Sequence, residues 1–282
     1  MRIVSLLPST TEILFAIGAG DDVAGVTFEC DFPPEARTRR IVSTSALPEG
    51  LAPAEIDTYV AGAMARGEDL YHLAADALAE LDADLVVTQD LCAVCAVDVS
   101  VVDDALSYLG CRAEVLTIDP HTIEEVLASI LTLGRATGHQ SSAEELVASL
   151  RARLDAVRSR VAGLPRPRVV LLEWTDPPYS PGHWVPEMIE AAGGTCVLGT
   201  AGAKSERVLW ETVHEAEPDL VVVAPCGYDL AGAQALADEL IASGVLPAGV
   251  PVHVVDANAA WARPGPRLVD GVEELAAHLH PA

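Results

Sequence analysis

Lysine is almost missing from this chain: Lys204 stands alone. Basic residues number 17 against 42 acidic ones, a formal net charge of −25, so nucleic acid and anionic lipid surfaces repel the chain and neither is expected as a partner. Aromatic residues are scarce too, at 4% of the chain, which makes the position of each one informative. No apolar run approaches the roughly 20 residues that a membrane span needs, so membrane insertion is not expected. Met1 to Ser5 reads as a first strand, with no basic and apolar leader ahead of it, and the chain as written is expected to be cytoplasmic. Several catalytic signatures are absent as well. Gly18-Ala19-Gly20 lacks the third glycine of a dinucleotide loop, and Gly199 to Lys204 fails the phosphate-loop spacing. His214-Glu215 has no second histidine of a zinc-protease helix, and no Gly-x-Ser-x-Gly elbow occurs. The residues therefore favour a binding protein over an enzyme.

What is present is α/β grammar over 282 residues, half of them hydrophobic. The stretch from Asp84 to Cys95 begins with the β-branched run Leu85–Thr88 and breaks into Gln89, Asp90, Cys92 and Cys95 where a buried parallel strand would end. Asp219 to Gly227 repeats the form, an apolar strand with Cys226 at its exit. Ligands gather outside the carboxyl ends of such strands, so two similar units predict two lobes facing one cleft.

Along the first half, strands are expected at Arg2–Leu7, Val23–Thr27, Ile41–Ser43, Leu85–Thr88 and Glu114–Ile118. Helices are expected after a capping box at Ser9 and Glu12, over Leu70–Leu81 and over Val101–Leu109, with a lid or inserted helix in Pro48–Asp69. Thr122 to Val161 reads as helix with a break near Gly138, and Leu146, Leu150, Leu154, Val157 and Val161 form one apolar face long enough to bridge two lobes. Strands then recur at Arg168–Glu173, Thr195–Leu198, Leu220–Ala224 and Val252–Val255, with helices from Pro186, over Ala233–Ser243 and over Pro266–Leu279. The division is an N-terminal α/β lobe over 1–120, a helical linker over 121–165 and a C-terminal α/β lobe over 166–282.

Cys30, Cys92, Cys95 and Cys226 all follow predicted strands, and three readings stay open for them. They can line a pocket as small hydrophobes, hold zinc or an iron–sulfur cluster, or, for Cys92 and Cys95, form a redox pair. Cys111 and Cys196 sit inside predicted elements and are expected to pack. The four tryptophans, Trp174, Trp184, Trp210 and Trp261, all fall in the second half, and Trp210 and Trp261 are selected as ligand contacts because an indole suits stacking on a flat ligand. His183 and His214 are the histidines to test as ligands.

Several segments then resemble the cobalamin-binding substrate-binding proteins of ABC importers. They are Arg2 to Glu12, Cys30-Asp-Phe-Pro-Pro34, Val42-Ser-Thr44, Asp84 to Val87, Pro177-Pro-Tyr179, Gly193-Gly194, Trp210 and Trp261-Ala-Arg263. The resemblance implies the class III periplasmic-binding-protein fold: two Rossmann-like lobes joined by a single long helix, with cobalamin or another corrinoid in the cleft and little hinge motion. It implies aromatic contacts with the corrin ring, which Trp210 and Trp261 match and Phe32 matches more loosely, with Gln89 where the cobalamin binder has a tryptophan. Pocket cysteines depart from the family, and the full set of candidate ligand contacts is Cys30, Asp31, Phe32, Thr44, Gln89, Asp90, Trp210, Cys226, Trp261 and Arg263. Glu211 and Glu215 are candidates for docking an ABC transporter permease. Such proteins are usually periplasmic or extracellular lipoproteins, and a monomer is expected. A metal or iron–sulfur protein using Cys30, Cys92, Cys95 and Cys226 is the alternative, with a siderophore or haem binder as a third reading.

Overall fold

The computed structural model describes residues 1–68, 70–74, 77, 80–89 and 113–281. Its chain divides into two compact units, Met1–Asp119 with Ala128–Val147, and Pro120–Leu127 with Ala148–Ala282. Residues 121–165, read from the sequence as a linker, are thus shared out between the two units.

In the first unit the strands are β1 (Ile3–Ser5), β2 (Val23–Val26), β3 (Arg40–Ile41), β6 (Leu85–Thr88) and β7 (Glu114–Thr117), and they form one sheet in the order β3-β2-β1-β6-β7. Every pairing in it is parallel. Leu85–Thr88 is buried at every position, the pattern of a strand covered on both faces. Helix α1 (Pro8–Ala16) follows β1 directly. The capping box expected at Ser9 and Glu12 does not form: Pro8 occupies the first helical turn, Leu7 is the N-cap, and Ser9 to Glu12 are buried within the helix. A capping pair operates instead ahead of α3 (Ile123–Ala136), where the Thr122 hydroxyl accepts from the Glu125 nitrogen at 3.2 Å and Glu125 accepts from the His121 nitrogen at 2.6 Å.

The stretch 48–69 does hold an inserted helix, α2 (Pro53–Arg66). It is packed down, not raised as a lid: Ala63 joins Val4, Val42 and Val86 in one core cluster, and Tyr59 and Val60 lean on it. The helix expected from Leu70 starts later than that, because Tyr71–Leu73 is a strand, β5, paired antiparallel with β4 (Ser43–Ser45). The helix expected over Val101–Leu109 lies outside the described residues.

Helix α4 (Gln140–Val161) is the long helix read from periodicity. Its buried stripe is Ala143, Val147, Leu150, Leu154, Val157 and Val161, alternating steps of three and four as one packed face requires. Leu146 falls at the margin, half-buried.

In the second unit β8 (Arg168–Leu172), β11 (Thr195–Cys196), β13 (Leu220–Val223) and β14 (Val252–Val254) form a parallel sheet in the order β11-β8-β13-β14. A small antiparallel sheet, β12-β10-β9, is built from β9 (Trp174–Thr175), β10 (Pro178–Ser180) and β12 (Glu206–Arg207). The helices are α5 (Val185–Ala191), α6 (Trp210–Glu215), α7 (Leu230–Ser243), α8 (Ala257–Ala260) and α9 (Leu268–Leu279). The Arg153 guanidinium on α4 is bidentate to Glu273 on α9, at 2.9 and 2.6 Å, and reaches Asp270 at 2.5 Å. This fork holds the carboxylate of Glu273 below its ordinary pKa and locks the C-terminal half of α4 onto α9.

The turn from α3 into α4 is close-packed: a Cβ placed on Gly134 would lie 2.4 Å from the Ala143 Cβ. Alanine is the better helix former by about 1 kcal/mol, yet Gly134→Ala is expected to destabilise the protein by about 1–3 kcal/mol through overpacking. A lower urea midpoint for that variant checks the claim, and an unchanged or raised midpoint refutes it.

Candidate functional site

Because all strands of each main sheet run in parallel, their exits lie along one edge of that sheet, and the polar side chains gather there. In the first unit Ser5, Thr10, Thr11, Thr27 and Cys30 form one hydrogen-bonded group behind the start of α1. The Cys30 sulfur accepts from the Thr11 hydroxyl at 3.1 Å, lies 3.2 Å from the Thr27 hydroxyl, and is only 3% exposed. Gln89, at the exit of β6, is 5% exposed. Above this group the loop after β2 shows two aromatic side chains to solvent, Phe28 and Phe32, each 40% exposed. Phe28 also packs on Tyr71 with ring centres 5.9 Å apart, and the Tyr71 hydroxyl donates to Glu29 at 3.0 Å. Asp31 lies 4.0 Å from Arg37, and Thr44 is an exposed residue of β4. Asp90, Cys92, Cys95 and Cys111 lie outside the described residues.

In the second unit the exits of β8, β13 and β14 are joined by hydrogen bonds. The Cys226 nitrogen donates to the Glu173 carbonyl at 3.0 Å, and the Asn258 nitrogen donates to the Tyr228 carbonyl at 3.2 Å. Trp174 packs against Tyr228 with ring centres 5.8 Å apart and an interplanar angle of 56°. Cys226 is exposed beside them. Burial pushes the Glu173 carboxyl up to about 7, opposed by hydrogen bonds from Ser205 and the Gly182 nitrogen. Neither Glu173 nor Trp174 was selected from the sequence, where they read as a strand end and a turn-rich loop.

The two tryptophans that were selected sit differently. Trp261 follows α8, is 2% exposed, and accepts a hydrogen bond at its carbonyl from the Trp184 indole at 2.9 Å. Arg263 is half-buried two residues further on. Trp210 opens α6 and lines a surface groove of about 520 Å³ with His214, Gly244 and Val245, on segments that lead into β13 and β14 rather than out of them. The His214 ring is taken up by the Val245 carbonyl at 2.9 Å. His183 packs between His121, at 5.5 Å, and Trp184, at 5.6 Å.

A second groove in this unit, about 830 Å³, has Leu127, Leu154 and Pro186 on its floor. The arginines on its rim are matched by acids: Arg151 by Glu124, Arg158 by Asp155 and Arg166 by Glu190. Cys196 also lines it, its thiol pushed up to about 11 by burial, which keeps it protonated at neutral pH. Among the described residues no three histidine, cysteine, aspartate or glutamate side chains come together as a metal site. No helix among them is long and apolar enough to cross a membrane.

A family model described as periplasmic binding protein matches residues 3–258. An ABC transporter substrate-binding lipoprotein of Bacillus subtilis is 27% identical, the match covering 99% of this chain and 80% of that protein. A vitamin B12-binding protein of Yersinia pestis is 23% identical over 97% of this chain and 84% of its own length. Among solved structures, the periplasmic vitamin B12 binding protein of Vibrio cholerae superposes with a TM-score of 0.70 at 20% identity, covering 99% of this chain and 96% of that one. The periplasmic haem binding protein HutB of the same organism reaches 0.73 at 19% identity, covering 100% and 99%. These likenesses place the fold among the two-lobed class III binding proteins. The names of these relatives, lipoprotein and periplasmic, lend no support to the cytoplasmic expectation.

The two strand-exit thiols differ enough to be separated by a thiol reagent. Cys226→Ser is expected to remove one fast-reacting equivalent, whereas Cys30→Ser leaves the fast phase intact and removes one equivalent released only on unfolding. Fast loss in the Cys30 variant would contradict the burial described.

Proposed function

Since the chain belongs to the periplasmic binding protein family, as a substrate-binding protein of ABC importers, we propose that its ligand is a flat metal-bearing macrocycle, cobalamin or another corrinoid. The observation that carries this reading is the pair of aromatic faces at a strand exit, Trp174 against Tyr228. A flat ring system buries a large apolar area against such faces, while polar neighbours at the same edge meet its substituents. In the first unit Phe28 and Phe32 offer exposed rings in the matching place, the loop after a parallel strand, with Gln89 at the next exit. Cys30, Asp31, Thr44 and Asp90 belong to that set of proposed contacts, and Cys226, Trp261 and Arg263 to the set in the second unit. The vitamin B12-binding relatives named above support a corrinoid.

Haem is the second reading. It is favoured by the solved structures named as haem-binding, from Roseiflexus and from Vibrio cholerae among others. Haem shares with a corrinoid the planar ring and central metal that aromatic faces accept, so the two are separated by affinity and not by fold. An ABC permease is the proposed partner, with Glu211 and Glu215, both exposed on α6, as the docking acids.

Isothermal titration with cyanocobalamin and with hemin tests the reading. Micromolar or tighter binding of one macrocycle is expected, and Trp174→Ala should weaken it by about 2 kcal/mol, roughly thirtyfold in Kd. No heat and no tryptophan quenching with either compound would end the proposal.

A further inference from the structure

Glu173 is the first residue beyond β8, and its backbone is committed on both sides: its nitrogen donates to the Tyr179 carbonyl at 3.1 Å and its carbonyl accepts from the Cys226 nitrogen at 3.0 Å. The carboxyl is committed as well. One oxygen accepts from the Gly182 nitrogen at 3.1 Å and the other from the Ser205 hydroxyl. These donors come from two segments that themselves touch. A Cβ on Gly182 would lie 2.3 Å from the Ser205 nitrogen, so only glycine fits there. The His183 nitrogen donates to the Ala203 carbonyl at 2.6 Å, and the Gly202 nitrogen returns a bond to the His183 carbonyl at 2.9 Å. A single carboxyl thus stitches the loop after β10 and the segment ahead of β12 to the exit of an interior strand, one residue before Trp174.

We propose that Glu173 is a positioning residue: by pinning Gly182 and Ser205 to the exit of β8, it sets the placement of Trp174 against Tyr228 and thereby the affinity for a flat ligand. The inference rests on the reading of those aromatic faces as a ligand site. Proton linkage follows from the chemistry. The two hydrogen bonds favour the ionised carboxyl, but burial outweighs them and raises it to about 7. The titratable and charged groups on the segments around it are Asp176, Tyr179, His183, Cys196, Lys204, Glu206, Arg207, Cys226 and Tyr228. Of these the Cys196 thiol is raised chiefly by burial, with the Glu190 and Glu173 charges adding to it, and burial opposed by the two hydrogen bonds accounts for the shift of Glu173 itself. Tyr228 is held up by its own burial and by Glu239 on α7. A macrocycle seated on Trp174 adds low-dielectric cover beside the buried carboxyl and disfavours its ionised form. Binding then takes up a proton, and affinity falls as pH rises through about 7.

The test has two arms. Without ligand, melting temperatures of the wild type, Glu173→Gln and Ser205→Ala are compared between pH 4 and pH 9. The folded carboxyl titrates above its ordinary value of 4.5, so its contribution to stability is full below that pH and is lost as pH climbs to about 7. The wild type should therefore decline over that window relative to Glu173→Gln. Ser205→Ala, having lost a bond that favours ionisation, should carry the decline to higher pH. With ligand, affinity for cyanocobalamin or hemin, whichever binds, should drop up to about tenfold from pH 6 to pH 8 in the wild type, and this dependence should vanish in Glu173→Gln. Parallel stability profiles for wild type and Glu173→Gln would overturn the proposal whatever the ligand does. A clear titration with equal affinities at both pH values would overturn the link to binding and leave the ligand reading standing. Failure of both macrocycles to bind at either pH would remove the ligand reading and this proposal with it.

Discussion

Parallel strand pairing is the constraint from which the other features of both units follow. Val169 to Leu172 and Leu220 to Val223 are buried along their whole length, so each side chain must be apolar and each backbone group must find its partner in the ladder. The ladder does this without help: Leu220 to Val223 pair residue by residue with Val169 to Leu172. Apolar side chains fill the interior of such a strand, and polar ones come in at its carboxyl end, where Ser5 and Thr88 close β1 and β6 while themselves fully buried. Thr27, Gln89 and Glu173 directly follow β2, β6 and β8. They are polar because the strand ends there, and within each unit such positions line one edge because its main sheet is parallel.

The same constraint explains what could be read without coordinates. A β-branched run that stays apolar for four residues has one economical solution, and Leu85–Thr88 and Leu220–Val223 are strands within a residue of the expected bounds. Helix α4 was equally legible, since its stripe repeats over six positions. Tyr71–Leu73 was not. A three-residue strand has too little pattern to outweigh a helical reading of Leu70–Leu81, and what makes it a strand is a pairing with Ser43–Ser45, far back in the chain. Ser9 and Glu12 carry the spacing of a capping box, but Pro8 starts the helix two residues too early for Ser9 to cap it.

Site residues were harder still, for a geometric reason. Trp174, Trp210 and Trp261 are alike in the sequence as aromatic residues near predicted strand ends. Trp210 sits on a segment entering the sheet, Trp261 is packed away, and Trp174 stands at an exit beside Tyr228. Whether the exits of different strands share an edge depends on pairing direction over the whole sheet, and how far an indole near an exit is buried depends on its packing, information that no local window holds. Glu173 is the extreme case. Its two carboxyl partners lie 9 and 32 residues downstream, so the sequence shows one more acidic residue among 42.

Cysteine shows how far position alone can carry a chemical argument. A strand followed by a cysteine sets the sulfur beyond the exit of a parallel strand, as Cys30 after β2 and Cys226 after β13 show. Reactivity is decided by what surrounds the sulfur. Cys30 is enclosed and spends its acceptor capacity on Thr11, with Thr27 at its side. Cys196 is held protonated by burial and points its thiol at the Leu198 carbonyl, 2.9 Å away. Cys226 alone of these three presents itself to solvent. A soft metal needs several thiolates turned toward one point, and the three described sulfurs instead occupy three separate settings, two of them committed to neighbouring hydroxyl or carbonyl groups. Aromatic faces carry no such requirement, because a ring binds through apolar area and needs no set of thiolates converging on one point, and that is why the proposed macrocycle reading rests on Trp174 and Tyr228 and not on the thiols.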